Sequence, residues 1–293
     1  MGNQRSRFGR SLDSLAKWLL KFRLVSIPAK SIANSKLAWS LISRSDRVRA
    51  NRLRERLITE EMPRHVSIIM DGNRRFAWKN SSKTAIGHSE GKEKLKEVMD
   101  WVLDLGVPYF TVYALSTENI SERDSEELEI LYDLYVSGLD EISVDPRIHD
   151  RGVRVQVVGR LDMLPQRVKK SIENAESVTS QYTDFTFTVC LAYGGREEIV
   201  DAVKSVAADH ASGDLDIDSI NSSEITKRMY AAELPDPDLV IRTSGEERIS
   251  NFLLWQIAYS ELHFTDVFWP SFSKSDLYEA IESYQYRRRR YGG

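Results

Sequence analysis

The chain has 293 residues, 41% of them hydrophobic and 29% charged, which is enough for one α/β domain with an appendage. Its single cysteine, Cys190, excludes an internal disulfide and fits a reducing cytoplasm, and no apolar stretch is long enough to span a bilayer. The net charge of −3 conceals an asymmetry, because residues 1–62 hold 14 Lys and Arg against 5 Asp and Glu, a local +9, which leaves −12 for the rest. A basic appendage on an acidic domain indicates an anionic surface as partner.

The first 61 residues are predicted to form a basic extension, separate from a catalytic domain over residues 62–293. Apolar residues recur there at helical spacing between basic ones, namely Leu12, Leu15, Trp18, Leu19 and Phe22. Basic amphipathic helices with tryptophan favour a bilayer interface, so we expect a cytoplasmic protein with peripheral contact to the membrane face. Two alternatives remain open. The apolar faces could pack on the domain or on a partner chain, or the basic arm could bind nucleic acid, which we do not expect.

From residue 65 onward, predicted strands and helices alternate. The strands are expected at residues 65–70, 109–114, 153–158, 185–191, 238–242 and 263–268, and the helices at 88–104, 124–144, 165–179, 196–210, 222–231 and 274–290. This alternation predicts an α/β fold with a mostly parallel central sheet covered by helices. The loops that begin near residues 71, 115, 192 and 242 would then share the carboxyl edge of the sheet, where such sheets bind ligands.

The first candidate site follows the strand at 65–70, where the chain reads Asp71-Gly72-Asn73-Arg74-Arg75. Gly72 permits a tight turn, and N–H groups of that turn, or of a helix that starts there, would point at an anion. A carboxylate at Asp71 would repel a phosphate unless a cation lies between them, so Asp71 predicts Mg²⁺ held partly by substrate phosphates. The alternative is a β-turn capped by Asp and Asn. Walker A and GxGxxG patterns are absent from the sequence, so an ordinary nucleotide site is not predicted.

The second candidate site follows the apolar run at 238–241, where the chain reads RTSGEERIS. Arg242, Arg248 and Ser250 place two guanidinium groups and a hydroxyl within nine residues. Arginine can bind phosphate oxygens in a bidentate manner, so the loop is predicted to receive a diphosphate. A solvated loop held by salt bridges is the alternative for this segment taken alone.

The two segments together resemble the cis-prenyltransferases, the (Z)-polyprenyl diphosphate synthases that include undecaprenyl and dehydrodolichyl diphosphate synthases. The matching stretches are residues 65–75, Gly87-His88, residues 116–119, residues 193–196, residues 238–252, residues 255–272 and Arg290-Tyr291-Gly292. Their order is that of the family over residues 62–293. The resemblance implies the fold of undecaprenyl diphosphate synthase, with an apolar substrate tunnel. It also implies a Mg²⁺-dependent transfer of an allylic prenyl group to isopentenyl diphosphate, giving a long polyprenyl diphosphate that serves as a glycosyl carrier lipid precursor.

The resemblance also assigns roles to individual residues. Asp71 would coordinate Mg²⁺, with Glu261 contributing across the boundary of a homodimer. Catalytic roles in leaving-group handling or proton removal fall to Asp71, Asn73, His88 and Ser116. The allylic diphosphate would be bound by Gly72, Arg74, Arg75 and Phe76, and isopentenyl diphosphate by Arg242, Arg248 and Ser250. Glu118 and Asn119 would shape the entrance loop, and Arg290 and Gly292 would reach a neighbour's diphosphate site. Leu131, Leu134, Leu139 and Ile142 would line the tunnel or form plain core.

Several positions depart from the family pattern. Thr84 stands where the family usually has an arginine that binds the allylic diphosphate, although Lys83 is adjacent. Phe76 replaces the commoner Trp or Tyr, Ala192 replaces Asn, and Arg123 stands one residue late. These departures leave open a related prenyltransferase with another acceptor or bond connectivity. A non-catalytic scaffold subunit of a heteromeric synthase is the third hypothesis, but such subunits typically lose the Asp-Gly-Asn-x-Arg loop that this chain keeps.

Overall fold

The computed structural model describes residues 36–291, with side chains from residue 46 to residue 288. The predicted amphipathic segment around Leu12–Phe22 and the predicted site residue Gly292 therefore lie outside the described residues. The chain divides into two compact units, Met1–Val48 and Arg49–Gly293. In the second unit, Ala50, Leu53 and Leu57 are buried in the same apolar cluster as the sheet. None of the described helices is long and apolar enough to cross a membrane.

Six strands, all paired in parallel, form one sheet in the order β3-β4-β2-β1-β5-β6. The strands are β1 His65–Ile69, β2 Tyr109–Tyr113, β3 Val153–Val158, β4 Phe185–Cys190, β5 Leu239–Arg242 and β6 Glu261–Phe264. Their apolar, β-branched residues suit strands that are covered on both faces, since every residue of β1 and β5 is buried. The predicted fold class is confirmed.

Ten α-helices belong to the described part of the chain. They are α1 Lys36–Leu57, α2 Asn73–Lys79, α3 Thr84–Asp104, α4 Thr117–Glu122, α5 Ser125–Val144, α6 Pro146–Asp150, α7 Gln166–Thr179, α8 Gly195–Ser212, α9 Ser222–Thr226 and α10 Lys274–Tyr291. The predicted helix at 222–231 is too long, because only Ser222–Thr226 is α-helical. The predicted strand at 263–268 is displaced, because β6 begins at Glu261 and ends at Phe264.

The pairing register determines which loops meet at the carboxyl edge. Ile69 at the end of β1 pairs with Tyr113 of β2 on one side and with Arg242 of β5 on the other. The chain builds β2, β3 and β4 on one side of β1 and then places β5 and β6 on the other. The gap between β1 and β5 is therefore the point where the winding reverses, the usual ligand position in an open α/β sheet.

Candidate active site

Two adjoining cavities open at the carboxyl edge of the sheet. One, the apolar cavity, has a volume of about 380 Å³ and is lined mostly by apolar residues, and the other, a polar cleft of about 440 Å³, lies beside it. Both are lined by the same five residues at their junction, namely Met70, Asp71, Asn73, His88 and Arg123. A volume of this order suits a small organic ligand. A polar head and an apolar tail could therefore occupy one continuous space.

Gly72 connects β1 to α2 in a conformation that favours glycine. Its φ is 108°, and a Cβ there would lie 3.0 Å from side-chain atoms of Phe268 and Ser244. The sequence left open whether a tight turn or a helix supplies the N–H groups at this point. A helix does so, because α2 begins at Asn73 directly after Gly72. The geometry turns the chain sharply and places Arg74 and Arg75 beside the polar cleft.

The Gly87-His88 motif allows α3 to pack closely against the start of α2. A Cβ at Gly87 would lie 2.2 Å from the carbonyl oxygen of Asn73, and one at Gly91 would lie 2.5 Å from its Oδ1. Glycine is therefore required at both positions. The close packing brings His88 to the junction of the two cavities, beside Asn73.

Asp71 joins the loops that follow β1 and β5. Its carboxylate accepts a hydrogen bond from Arg242 at 2.9 Å and forms an ion pair with Arg75 at 3.1 Å. The Arg242 guanidinium is only 5% exposed and also donates to Ser250 Oγ at 2.7 Å and to the Arg248 carbonyl. The loops of the two predicted anion sites therefore meet at the carboxyl edge and are joined in one hydrogen-bonded cluster.

A second carboxylate, Glu246, lies between the arginines of the two loops. It pairs with Arg75 at 3.1 Å and with Arg248. A carboxylate and a phosphate offer similar acceptor oxygens to a guanidinium. Glu246 therefore contacts the same arginines that the sequence assigned to two different diphosphates.

His88 is held by Glu127 of α5. Its Nε2 lies 3.0 Å from Glu127 Oε1, and the same carboxylate accepts from Arg123 at 2.7 Å. Burial lowers the pKa of His88 below its ordinary value of 6.5, although the hydrogen bond to Glu127 opposes the shift. A carboxylate accepts rather than donates, so Nε2 carries the proton in this pair and Nδ1 is the basic nitrogen. His88 is thus a neutral imidazole whose Nδ1 is its unprotonated nitrogen.

The loop after β2 contributes Ser116 and Asn119 to the apolar cavity. Ser116 Oγ accepts the Asn119 N–H at 3.0 Å and so caps α4. Asn119 Oδ1 in turn accepts from Arg123 at 3.1 Å, and Glu118 accepts from Asn251 at 2.9 Å. Glu118 and Phe76 contribute to neither cavity's lining, whereas the other predicted residues from the three loops do.

Glu261 lies at the opposite edge of the sheet from Asp71. It is the first residue of β6 and pairs in register with Leu239 of β5. Leu239 also pairs with Val66 of β1, so Glu261 lies level with Val66, which precedes Asp71 by five residues. At about 3.3 Å per strand residue, the main-chain positions of Asp71 and Glu261 are about 16 Å apart along the strands. Glu261 forms an ion pair with Arg287 of α10 at 2.9 Å. One chain cannot place both carboxylates on one ion, so the predicted metal role of Glu261 requires a second subunit. Arg290 belongs to α10, but its side chain is outside the described part.

Away from the junction, the wall of the apolar cavity consists mainly of aliphatic and aromatic side chains. Leu131, Leu134, Leu139 and Ile142 of α5 all line it, together with Leu115, Phe187, Val189 and Leu191 of the sheet region. Leu131 and Leu139 are also largely buried in the core. The four helix residues therefore line an apolar tunnel.

Three further residues at this site were not assigned from the sequence. Arg123 lines both cavities, Glu127 binds His88, and Lys92 lines the apolar cavity while its ammonium pairs with Glu141 at 2.6 Å. In the sequence, Arg123 was recognised only as a family arginine that stands one position later than usual. Lys92 follows His88 by four residues and therefore shares its helix face, which is the signal that could have identified it.

Known proteins of one family resemble this chain over most of its length. The family model described as "Putative undecaprenyl diphosphate synthase" matches residues 69–292. A tritrans,polycis-undecaprenyl-diphosphate synthase (geranylgeranyl-diphosphate specific) from Methanopyrus kandleri is 51% identical over 82% of this chain and 88% of the relative. A synthase of the same name from Pyrococcus horikoshii is 48% identical over 81% and 90%, respectively.

Solved structures show the same fold. Lavandulyl diphosphate synthase from Lavandula x intermedia, in complex with dimethylallyl diphosphate, has a TM-score of 0.72 and 32% identity over 76% of this chain and 95% of that one. A probable undecaprenyl diphosphate synthase from Campylobacter jejuni has a TM-score of 0.64 and 28% identity over 80% and 99%. The chain belongs to the undecaprenyl diphosphate synthase family and is a prenyltransferase.

Proposed function

We propose that the protein condenses isopentenyl diphosphate with a long allylic diphosphate, geranylgeranyl diphosphate above all, to make a long (Z)-polyprenyl diphosphate. The observation that carries this proposal is the junction between the arginine-rich cleft and the apolar cavity at Asp71, Asn73, His88 and Arg123. The names of the relatives from Methanopyrus and Pyrococcus support the polycis product and the choice of primer. A role of the product as a carrier-lipid precursor belongs to the same proposal.

The residues at the junction match the charge changes of the reaction. As the allylic diphosphate leaves, negative charge grows on its oxygens, and Arg74, Arg75 and Arg123 line the cleft that would receive it. Arg242, Arg248 and Ser250 would hold the second diphosphate, with its double bond toward the allylic carbon. The apolar wall beyond His88 excludes water from the electron-deficient prenyl carbon.

Mg²⁺ fits this site as an ion shared between protein and substrate. The described residues contain no group of three or more His, Cys, Asp or Glu that could cage a metal. Asp71 supplies one carboxylate beside the arginines, and the buried Asn73 Oδ1 has no hydrogen-bond partner. Mg²⁺ commonly takes one or two protein carboxylates and completes its shell with phosphate oxygens and water. Asp71 would hold the ion, which would supply charge neutralisation for the leaving diphosphate.

Each condensation ends with loss of a proton from the isopentenyl unit. His88 Nδ1 is basic because Nε2 is engaged by Glu127, and burial keeps the ring neutral. The orphaned Asn73 Oδ1 is a second acceptor at the junction. We propose that His88 Nδ1 receives the proton, that Asn73 assists as a hydrogen-bond acceptor beside it, and that Ser116 contributes by fixing the loop through its bond to Asn119.

Two other functions were considered. A prenyltransferase with another acceptor or connectivity remains a candidate, because lavandulyl diphosphate synthase shares the fold and Thr84 departs from the family pattern. A scaffold subunit is disfavoured, since Asp71, Arg75, Arg242 and Ser250 are joined in one hydrogen-bonded cluster. A homodimer and peripheral membrane contact through residues 1–61 also belong to this proposal.

The decisive experiment supplies purified protein with radiolabelled isopentenyl diphosphate and one of four primers, from dimethylallyl to geranylgeranyl diphosphate, with and without Mg²⁺. The proposal expects Mg²⁺-dependent products of many isoprene units, with new double bonds in the Z configuration by NMR and the highest kcat/KM for geranylgeranyl diphosphate. A single condensation, a branched product or E bonds would support the alternative prenyltransferase. Absence of incorporation with every primer would support the scaffold subunit.

A further inference from the structure

Gly138 lies in the interior of α5, where glycine is unfavourable. Glycine loses more conformational freedom on folding than alanine does and weakens a helix interior. The neighbouring residues Leu134, Tyr135, Leu139 and Ile142 line the apolar cavity, and so does Gly138 itself. A helix that forms the wall of the tunnel thus carries its least stabilising residue at a tunnel position.

Packing against other protein atoms does not explain this glycine. A Cβ at Gly138 would have a single neighbour within 4 Å, Cδ of Lys92 at 3.9 Å, which is an ordinary van der Waals contact. By contrast, a Cβ at Gly87 or Gly91 on the facing helix α3 would collide with Asn73. Among the eleven glycines of the described part of the chain, the others have either such a close neighbour or a positive φ, and only Gly138 has neither.

Lys92 borders the same space from α3. Its ammonium is bound by Glu141 at 2.6 Å and by Ser137 Oγ at 3.1 Å, so the aliphatic stem forms part of the cavity wall. Lys92 lies one helical turn beyond His88, which corresponds to about 6 Å along the axis of α3. The open space over Gly138 is therefore close to the reacting end of the tunnel.

We propose that Gly138 is a specificity-determining residue that keeps this space open for the prenyl chain of a long allylic primer. The inference rests on the proposed function and deepens it. A side chain at position 138 would fill the tunnel one turn beyond His88, where a short primer ends and a long one must pass. The missing side chain thus allows long primers to bind, at the expense of helix stability.

The test compares Gly138→Ala and Gly138→Leu with the wild-type full-length chain. Gly138→Leu is expected to lower kcat/KM for geranylgeranyl diphosphate by about tenfold or more, with a much smaller effect on dimethylallyl diphosphate. Products started from the short primer should stop at fewer units. Gly138→Ala should raise Tm by about 1–3 °C and already disfavour the long primer. A purely structural glycine would not give a more stable protein with altered primer choice.

Asp140→Leu is the matched control, because Asp140 is exposed on the same helix and contributes nothing to the cavity wall. It should leave primer choice unchanged. Calorimetry can measure how tightly unreactive thiolodiphosphate analogues of both primers bind. Because binding needs no turnover, this measurement tests the role of Gly138 separately from the proposed function. Selective weakening of the long analogue in Gly138→Leu supports this inference even if no polyprenyl product forms. Equal binding of both analogues by wild type and both Gly138 variants would overturn it, whether or not elongation occurs.

Discussion

Asp71 is bound by two arginines, which would otherwise be available to a diphosphate. We predict that Asp71→Ala lowers kcat by about a hundredfold or more, because charge stabilisation at the leaving group is lost. Binding of the substrate diphosphates should weaken much less, since Arg75 and Arg242 are released from a competing carboxylate. Steady-state kinetics over both substrates, with and without EDTA, measure this separation of kcat from KM.

The control for this variant is Asp104→Ala, which removes a carboxylate paired with Arg151 and Lys274 far from the junction. Circular dichroism and Tm show whether either variant has lost its fold. Near-normal turnover of Asp71→Ala, or full wild-type activity in EDTA, would contradict the assignment of Asp71 to a metal.

His65, at the start of β1, is a buried histidine with a structural role. Its Nδ1 lies 2.7 Å from the Pro235 carbonyl and its Nε2 lies 2.8 Å from Thr111 Oγ1, so the neutral ring satisfies both partners. Desolvation by burial lowers the pKa of His65 from 6.5 to about 4, against the opposing effect of the Pro235 hydrogen bond. The unfolded chain therefore binds a proton at a pH where the folded chain does not.

We predict that this difference reduces the free energy of unfolding as the pH falls from 6.5 towards 4. The contribution is complete above pH 6.5, and its loss by pH 4 is on the order of 3 kcal/mol. His65→Gln should show a shallower decline in urea unfolding over this range, whereas His210→Gln, at an exposed site, should not. The decline should persist in part, because burial also lowers the pKa of His88 and His263. An identical slope in His65→Gln and wild type would contradict the prediction.

At the residue scale, Asp71, Arg242 and Ser250 were predicted from their charge or hydroxyl group and their positions after apolar strands, and the structure brings the three side chains together. Glu246 and Glu127 could not be identified in this way. Each binds arginine or histidine side chains from other loops, and those contacts depend on how α2, α3 and α5 pack. Phe76 was predicted to bind substrate because it follows the phosphate loop in sequence. Its side chain lines neither cavity, so adjacency in sequence does not place every side chain in the cleft.

At the element scale, the first five strands were predictable because each is a short apolar run between polar loops. Helix α2 was harder, because Asp-Gly-Asn is typical of turns and only Gly72 at φ 108° lets the helix start there. The sixth strand was misplaced because Val267 and Phe268 look like strand residues. The Val267 carbonyl instead accepts from Ser244, and a 3₁₀ turn begins at Trp269.

Helix α3 leads to a prediction about the missing arginine. Thr84 is the first residue of α3 and lies one turn before His88, so both side chains are on the same helix face. Thr84 contributes to neither cavity, whereas Arg123 lines both beside His88 and Arg74 lines the polar cleft. Thr84→Arg should therefore add a cation near the polar cleft and tighten binding of the allylic primer by about tenfold, as a charge-assisted hydrogen bond allows.

The dependence of the reaction rate on isopentenyl diphosphate concentration should be nearly the same in Thr84→Arg as in wild type, since Arg242 and Arg248 would bind that ligand. Ser89→Arg adds the same charge to an exposed position that is rotated away from His88, and it should have little effect. If primers of increasing length all gain the same affinity, the added arginine acts on the diphosphate and not on the prenyl chain. If no primer binds more tightly, position 84 does not face the phosphate.

At the scale of the whole molecule, one chain leaves the proposed metal site without its second carboxylate. Asp71 follows the carboxyl end of β1, whereas Glu261 is the first residue of β6 at the other edge. The described end of α10 lies beside Glu261, because Arg287 contacts it and Arg288 pairs with Glu61. The described end of α10, up to Arg288, and Glu261 are thus together, and both are remote from Asp71 of the same chain. Two-fold symmetry would allow each subunit to supply this pair to its neighbour.

Mixing two inactive variants tests this arrangement directly. In a mixed dimer of Asp71→Ala and Glu261→Gln chains, one site would carry both substitutions and the other would have both native carboxylates. Random exchange of subunits should then restore about one quarter of the wild-type specific activity, since half of the dimers would each have one intact site of two.

Deletion of residues 291–293 should likewise lower activity without unfolding, and it should be complemented by Asp71→Ala. Sedimentation establishes the dimer and its exchange before the assay. A site completed within one chain predicts no recovery from the mixture, and a fully active monomer would exclude the shared site altogether.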